Sequence, residues 1–279
     1  LKKRVTHTHT PISEWQISSF KKKLNTFFYT LAVNLLSSCE ISLTESRQRV
    51  KIQEGIISRK LKIIFNGVNC SHYDLDDFAK SKNRSEIFAT FAIPSGSFVF
   101  GNMGRLTVEK GHITLLKAFN HFKKNLHPND MVKLLICGGG ELENELKGYV
   151  IDNNLKDDVI ITGRFEESAK LKFYSTMDVF IHPSMAEGFG LVLVEAMAFG
   201  IPIIASDLEV FEEVAASNAI YFESSNFEDL AQKMNNLYLK RDNYVNIGNY
   251  SKQRALDLFS LNDFVNNYNE LYNSLIQEK

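Results

Sequence analysis

Residues 182–206 read HPSMAEGFGLVLVEAMAFGIPIIAS. The run LVLVEAMAF has the length and composition of a short buried helix, and Gly200 supplies its stop signal. IPIIAS follows at once as an apolar strand, and DVFIHPS immediately upstream is another. Strand, loop, helix, strand in so short a space is the signature of a parallel sheet with crossover helices. The pattern extends outward in both directions. SFVFGNMGRL is a strand entering a glycine turn, and GHITLLKAFNHFKKN (111–125) is an amphipathic helix. VKLLICGGG, DVIITG and AIYFES are strands; ELENELKGYVIDNN, EESAKLKFYSTM, EVFEEVAAS and FEDLAQKMNNLYLKR are helices. Fully apolar strands of this kind belong to an α/β sheet covered on both faces, which binds ligands beyond the carboxyl ends of its strands.

Residues 1–80 are less regular but of the same class. KKRVTHTHT, EISLTES and LKIIFNGVN are expected strands, and SSFKKKLNTFFYTLAVNLLSSC is an expected helix. The polar stretch DDFAKSKNRSEIFATFAIPSGS is the expected linker. With 279 residues the chain is large for one core, so two α/β units are expected. Their bounds are 1–93 for the amino-terminal unit with its linker, 94–260 for a second Rossmann-like unit, and 261–279 for a carboxy-terminal helix packing back toward the first.

Composition excludes several classes of function. The net charge is −1, so no global field draws nucleic acid. That average hides a split: residues 1–60 hold 11 Lys and Arg against 4 Asp and Glu, a net of +7. Such a basic part suits contact with an anionic membrane surface. Cys39, Cys70 and Cys137 are far apart, which fits a reducing, cytoplasmic setting and neither a zinc site nor a disulfide framework. No apolar run reaches the roughly 18 residues of a membrane span, and no secretory signal is visible.

Three loops carry the chemistry. GNMGRLTVEKG (101–111) places Arg105 and Lys110 beside Gly104 and a helix amino terminus, an anion site suited to a diphosphate. Its spacing is not that of a Walker loop, and CGGGELENE fails the dinucleotide pattern G-x-G-x-x-G. In AEGFGLVLVE, Glu187 and Glu195 stand eight residues apart, a rise of roughly 12 Å if all were helical. A hydrolase pair sits about 5–10 Å apart, so two separate tasks fit better than one shared proton. Gly188 and Gly190 free the amides between the two carboxylates for phosphate. A nucleotide sugar matches this layout: hexose at Glu187, diphosphate at the glycine amides with Arg105 and Lys110, ribose at Glu195. No Asp-x-Asp metal motif lies near, and no metal or cofactor is expected.

These motifs together resemble a known family. EGFGLVLVE is similar to the E-x7-E motif of retaining glycosyltransferases of the GT-B fold, family 4. GRLTVEKG resembles that family's G-R-L-x-x-x-K-G loop, and ITGRFEES its base-binding loop. IFNGVN resembles its P-N-G-V-D turn, with Phe65 and Asn69 as departures. The resemblance implies two Rossmann-like domains, the carboxy-terminal one complete and the amino-terminal one incomplete, since about 90 residues precede the linker. It implies that Gly104, Arg105 and Lys110 hold the diphosphate, that Glu187, Gly188, Phe189, Gly190 and Leu191 meet phosphate and sugar, and that Glu195 binds ribose. Gly163 and Arg164 would meet the base. RVTHTHT resembles the strand end bearing the donor-contacting histidine, with His9 the better match and His7 the second. The catalytic set is then Glu187, Arg105, Lys110 and His9.

The expected activity is metal-independent transfer of a sugar, with retention, from a UDP or GDP sugar to a saccharide or lipid-linked acceptor, as in polysaccharide or glycolipid assembly. Two alternatives stay open: a UDP-sugar epimerase of the same architecture, and a non-catalytic sugar-nucleotide binder.

Overall fold

A computed structural model describes residues 3–9, 18–241 and 244–277. Lys2 and Thr10, placed in the first strand by the sequence, and the last two residues of the expected tail helix lie outside the described residues. The chain begins with β1 (Val5–His7), α1 (Ser19–Leu36), β2 (Cys39–Ser42), α2 (Glu45–Gln53) and β3 (Leu61–Ile63). The three strands form one parallel sheet in the order β1-β2-β3, with Val5 opposite Cys39 and Glu40 opposite Leu61.

Two helices here differ from the sequence reading. EISLTES is a strand only to Ser42; Thr44 then caps α2, its side chain accepting from the Arg47 amide. The expected linker is largely the helix α3 (Asp77–Thr90), whose start is capped by Asp76 accepting from the Ala79 amide at 2.7 Å. Both helices bury polar groups or few apolar ones, so no apolar stripe announces them. In α2 the buried residues are Ser46, Arg47 and Lys51; in α3 only Ile87 is buried.

The second unit runs β4 (Phe98–Met103), α4 (His112–Lys123), β5 (Val132–Cys137), α5 (Glu143–Asp152), β6 (Val159–Ile161), α6 (Lys170–Thr176) and β7 (Val179–His182). It continues with α7 (Leu191–Phe199), β8 (Ile203–Ser206), α8 (Glu209–Ala215), β9 (Ile220–Phe222) and α9 (Phe227–Leu239). Its six strands are all parallel in the order β6-β5-β4-β7-β8-β9. This is a doubly wound sheet whose direction of winding reverses between β4 and β7, and such a reversal opens a crevice at the strands' carboxyl ends. One face is covered by a core that includes Phe180, Leu193, Phe211 and Phe259, the other by one that includes Phe100, Phe119, Phe122 and Met234.

The two units are joined at several places, among them the start of α2, where the Glu45 and Ser46 amides donate to Glu213 of α8 at 2.7 and 2.6 Å. Arg84 of α3 grips Asp178, at the start of β7, through both guanidinium nitrogens at 3.0 and 2.9 Å. Phe65, where the resemblance would have proline, packs edge-on against Phe259 and lies 6.4 Å from Phe189. Finally α10 (Val245–Leu258) packs on α7, and α11 (Leu261–Gln277) returns to the first sheet, where Leu271 and Leu275 cover Cys39, Ile41 and Ile64.

Candidate active site

A cleft of about 740 Å³ lies between the units, at the carboxyl ends of β4, β5 and β7. The first unit contributes His9, Leu43 and Asn66; the second contributes the three glycine-bearing loops. Those loops are packed so closely that side chains would not fit between them. Gly111 has φ +68°, and a Cβ there would lie 2.0 Å from the Pro183 carbonyl oxygen, which seats the loop after β4 against the loop after β7. A Cβ on Gly138 would lie 1.9 Å from the Gly104 oxygen, so the CGGG turn serves close loop contact. The Met185 amide completes the arrangement by donating to the Glu109 carbonyl at 2.8 Å.

This packing brings Lys110 and Glu187, 77 residues apart, into contact. The lysine Nζ lies 2.7 and 2.8 Å from the two carboxylate oxygens. His182, at the end of β7, has its Nε2 3.5 Å from Glu187 Oε1. Burial pushes the Glu187 carboxyl up, but His182 and Lys110 outweigh it and hold it at about 2. Arg105 reaches into the open cleft, its side chain 76% exposed and 3.8 Å from Glu109. Gly104 and Arg164 also line the cleft, whereas Gly163 sits behind it, bridged to Gly138.

Gly188, Phe189, Gly190 and Leu191 line the cleft where α7 begins. Gly190 is left-handed and caps the helix, and its carbonyl accepts from the Leu193 and Val194 amides. The Leu191 and Val192 amides, at the first two helical positions, have no intrahelical acceptor and leave a positive helix end facing the cleft.

Glu195 is one turn further along and does not itself line the cleft. It is 9% exposed, with Tyr174 donating to Oε2 at 2.8 Å and Lys170 to Oε1 at 3.0 Å. Lys170 does line the cleft. The two carboxylates of the E-x7-E stretch are thus held by two different lysines. Lys170, Tyr174 and His182 carry no motif signal of their own, because their roles depend on contacts across loops.

On the opposite wall, His9 stacks on His7 with ring centroids 4.5 Å apart. His7 is tied in turn to Tyr268 of α11. A second cleft, of about 650 Å³, lies at the opposite, amino ends of the strands, but its Arg84 is engaged by Asp178 and its Arg241 by the Tyr238 ring.

A doubly wound parallel sheet whose cation-lined crevice faces a second α/β unit defines a class of two-domain α/β proteins. The family model described as glycosyl transferases group 1 matches residues 83–254, and the chain belongs to that family. The capsular polysaccharide biosynthesis glycosyltransferase CapM of Staphylococcus aureus is 26% identical over 217 residues, 76% of this chain and 54% of that protein. The UDP-Gal:alpha-D-GlcNAc-diphosphoundecaprenol alpha-1,3-galactosyltransferase of Escherichia coli is 29% identical, covering 73% of this chain and 51% of that protein. The chain spans about half the length of the curated relatives it matches. Among solved structures, HepE of Anabaena in complex with UDP-glucose superimposes with a TM-score of 0.86 at 22% identity, covering 98% of this chain and 72% of that one. Sucrose-phosphate synthase of Thermosynechococcus elongatus gives 0.83 at 19%, covering 99% and 68%. These likenesses identify the shared fold as the two-domain GT-B arrangement.

Proposed function

We propose that the protein transfers a sugar, with retention and without a metal, from a nucleoside diphosphate sugar to an acceptor hydroxyl. The observation that carries this reading is the convergence of Arg105, Lys110 and the amino end of α7 on one cleft that also holds Glu187. The diphosphate takes the cations and the free amides, the sugar lies at Glu187, and Arg164 lies by the base. Glu195, with Lys170, serves the ribose, and His9 contacts the donor from the other wall. In the reaction the sugar C1–phosphate oxygen bond breaks and the acceptor oxygen bonds to C1 on the same face. The acceptor proton passes to the leaving phosphate oxygen, whose growing charge Arg105 and Lys110 offset.

UDP and GDP are the donor nucleotides we favour. HepE was solved with UDP-glucose, and the Escherichia coli relative acts from UDP-Gal on a lipid-linked diphosphate, which supports a nucleotide-sugar donor and a saccharide or lipid acceptor. Peripheral contact with the inner face of the membrane is part of the same proposal. Opposite its buried Val33, α1 exposes Phe20, Leu24, Phe27, Phe28, Leu31 and Leu35, and Lys21 and Lys23 flank that stripe by helical position. A basic, apolar-faced helix of this kind suits an anionic lipid surface. Among the described residues no helix is long and apolar enough to cross a membrane.

Binding of UDP-, GDP- and ADP-sugars by calorimetry, with a transfer assay beside it, tests the proposal. Arg105→Ala is expected to lower turnover on the order of 10²-fold, the scale of a lost electrostatic stabiliser. Unchanged turnover in a folded variant would remove the diphosphate assignment. Interconversion of donor sugars without release of nucleoside diphosphate would favour an epimerase.

A further inference from the structure

Lys110 and Glu187 hold one another in the cleft, through both oxygens of the carboxylate. Under the proposed function, on which this inference rests, they have different ligands: the lysine takes the diphosphate and the carboxylate takes the sugar. When the lysine moves to the diphosphate, Glu187 stays in a site where its side chain is only 15% exposed. A buried carboxylate stripped of its partner is strongly disfavoured.

The structure holds a candidate replacement. His182 is 2% exposed; its Nδ1 has no hydrogen-bond partner, and its Nε2 has only the long 3.5 Å approach to Glu187 Oε1. Unpartnered buried polar groups are rare and call for a reason. Its ring is fixed between Phe180 and Phe211, with centroids 5.8 and 4.7 Å away, and it aims Nε2 at Glu187 Oε1. We propose that His182 is a positioning residue that receives Glu187 when the donor draws Lys110 away, taking up one proton from solvent as it does so. Nε2–H then donates to the carboxylate and holds it toward the sugar.

The charges around His182 support this direction. Burial keeps its imidazole below the ordinary value; Glu187 raises it and Lys110 lowers it. Moving Lys110 toward the phosphates weakens a lowering influence and leaves the raising one in place. A further titratable neighbour is His112, the first residue of α4, which is 1% exposed and itself lies near Glu109. Burial, with His182 and Lys110 adding to it, holds His112 at about 4, so it is neutral near pH 7 and competes little for the proton.

The test is calorimetry on the whole chain at pH 7 in phosphate and in Tris, whose ionisation heats differ, with UDP-glucose, GDP-mannose and ADP-glucose in turn. The phosphates of such sugars do not titrate near neutrality, so a buffer-dependent heat reports protein protons. We expect uptake of about one proton per donor bound and an affinity that weakens as pH rises, approaching tenfold per unit. His182→Gln should bind donor with no uptake and a flat pH profile, while His112→Gln keeps the uptake. If His182→Gln does not fold, the His182 ring resonance in the unaltered protein, titrated with and without donor, supplies the same answer. Donor binding without proton uptake, or uptake that disappears in His112→Gln instead, overturns the inference and leaves the proposed function standing. Failure of all three donors to bind overturns both.

Discussion

Tyr268 Oη lies 2.9 Å from His7 Nδ1, joining the carboxy-terminal helix to the first strand across nearly the whole chain. His7 stacks on His9, and His9 faces the cleft. The last helix therefore helps set the wall on which the donor is proposed to rest. Tyr268→Phe is expected to cost about 1 kcal/mol of stability, the worth of one such hydrogen bond. Turnover should fall about tenfold through misplacement of His9, with donor affinity little changed. Urea denaturation and steady-state kinetics check the two parts; an unaltered turnover would mean that His9 is positioned without α11.

The separate lysine partners of Glu187 and Glu195 predict separable defects. Glu195→Ala should raise the donor KM with little change in kcat, because ribose contacts are equal in ground and transition states. Glu187→Ala should lower kcat on the order of 10²-fold by misplacing the sugar. The opposite pattern would show that the donor lies the other way round.

Glu40 and Lys51 form an ion pair buried in the first unit, with side chains 0% and 1% exposed. Lys51 also donates to the carbonyls of Thr8 and Ile41, and Tyr29 donates to Glu40. Lys51→Met strands the carboxylate and should cost about 3–5 kcal/mol. The double variant Glu40→Leu, Lys51→Met should recover most of that loss in a denaturant titration. A single-variant loss under about 1 kcal/mol would show that water reaches the pair.

Acid should weaken the fold in two stages. His112 is held at about 4, chiefly by burial, against 6.5 unfolded. Between those values the unfolded chain binds the extra proton, so stability is full above pH 6.5 and falls as pH drops toward 4. The slope is about 1.4 kcal/mol per pH unit. Glu187 is depressed to about 2, so its contribution is present above its unfolded value of 4.5 and is lost as pH falls from there toward 2. His7, also held at about 4 chiefly by burial, and His182, held low by burial, share this window, so His112→Leu should lessen the pH dependence of urea-derived stability between pH 7 and 5 by about 1.4 kcal/mol per unit without abolishing it; a slope unchanged by that substitution would place the proton elsewhere.

The exposed stripe of α1 predicts binding to phosphatidylglycerol-containing vesicles, weakened by salt and absent with phosphatidylcholine alone. At about 1 kcal/mol per lysine near such a surface, Lys21→Glu with Lys23→Glu should reduce sedimentation with vesicles by at least tenfold. Phe27→Glu should do the same by removing apolar area from the stripe. Binding indifferent to lipid charge, or concentration-dependent self-association in place of binding, would reassign the stripe to a protein contact.

Much of the second unit was legible in the chain itself. Strands such as VFIH and IIAS are apolar throughout, and only a sheet covered on both faces buries them. Gly200, Arg105, Lys110 and Glu187 stand in short local patterns, and local patterns survive in sequence because a tight turn or a helix start depends on neighbours within a few residues. Helices α2 and α3 were obscured for the converse reason. Their packing relies on Lys51, matched by Glu40 of the preceding strand, and on Arg84, matched by Asp178 of the second unit, so hydropathy reads them as exposed.

What the chain determined alone is therefore the alternation of strands and helices, the class of fold, and the loops that bear charge. Which charge meets which follows from the folded arrangement alone. Lys110 rather than Arg105 holds Glu187, Lys170 holds Glu195 across 25 residues, and the buried His182 stands 3.5 Å from Glu187. The physical reason is range. Helix and strand periodicity is set by neighbours a few residues away, whereas an ion pair is set by the order of strands in the sheet. The reversal between β4 and β7 brings two loops, 77 residues apart, against one another, and no local pattern in either loop contains that distance.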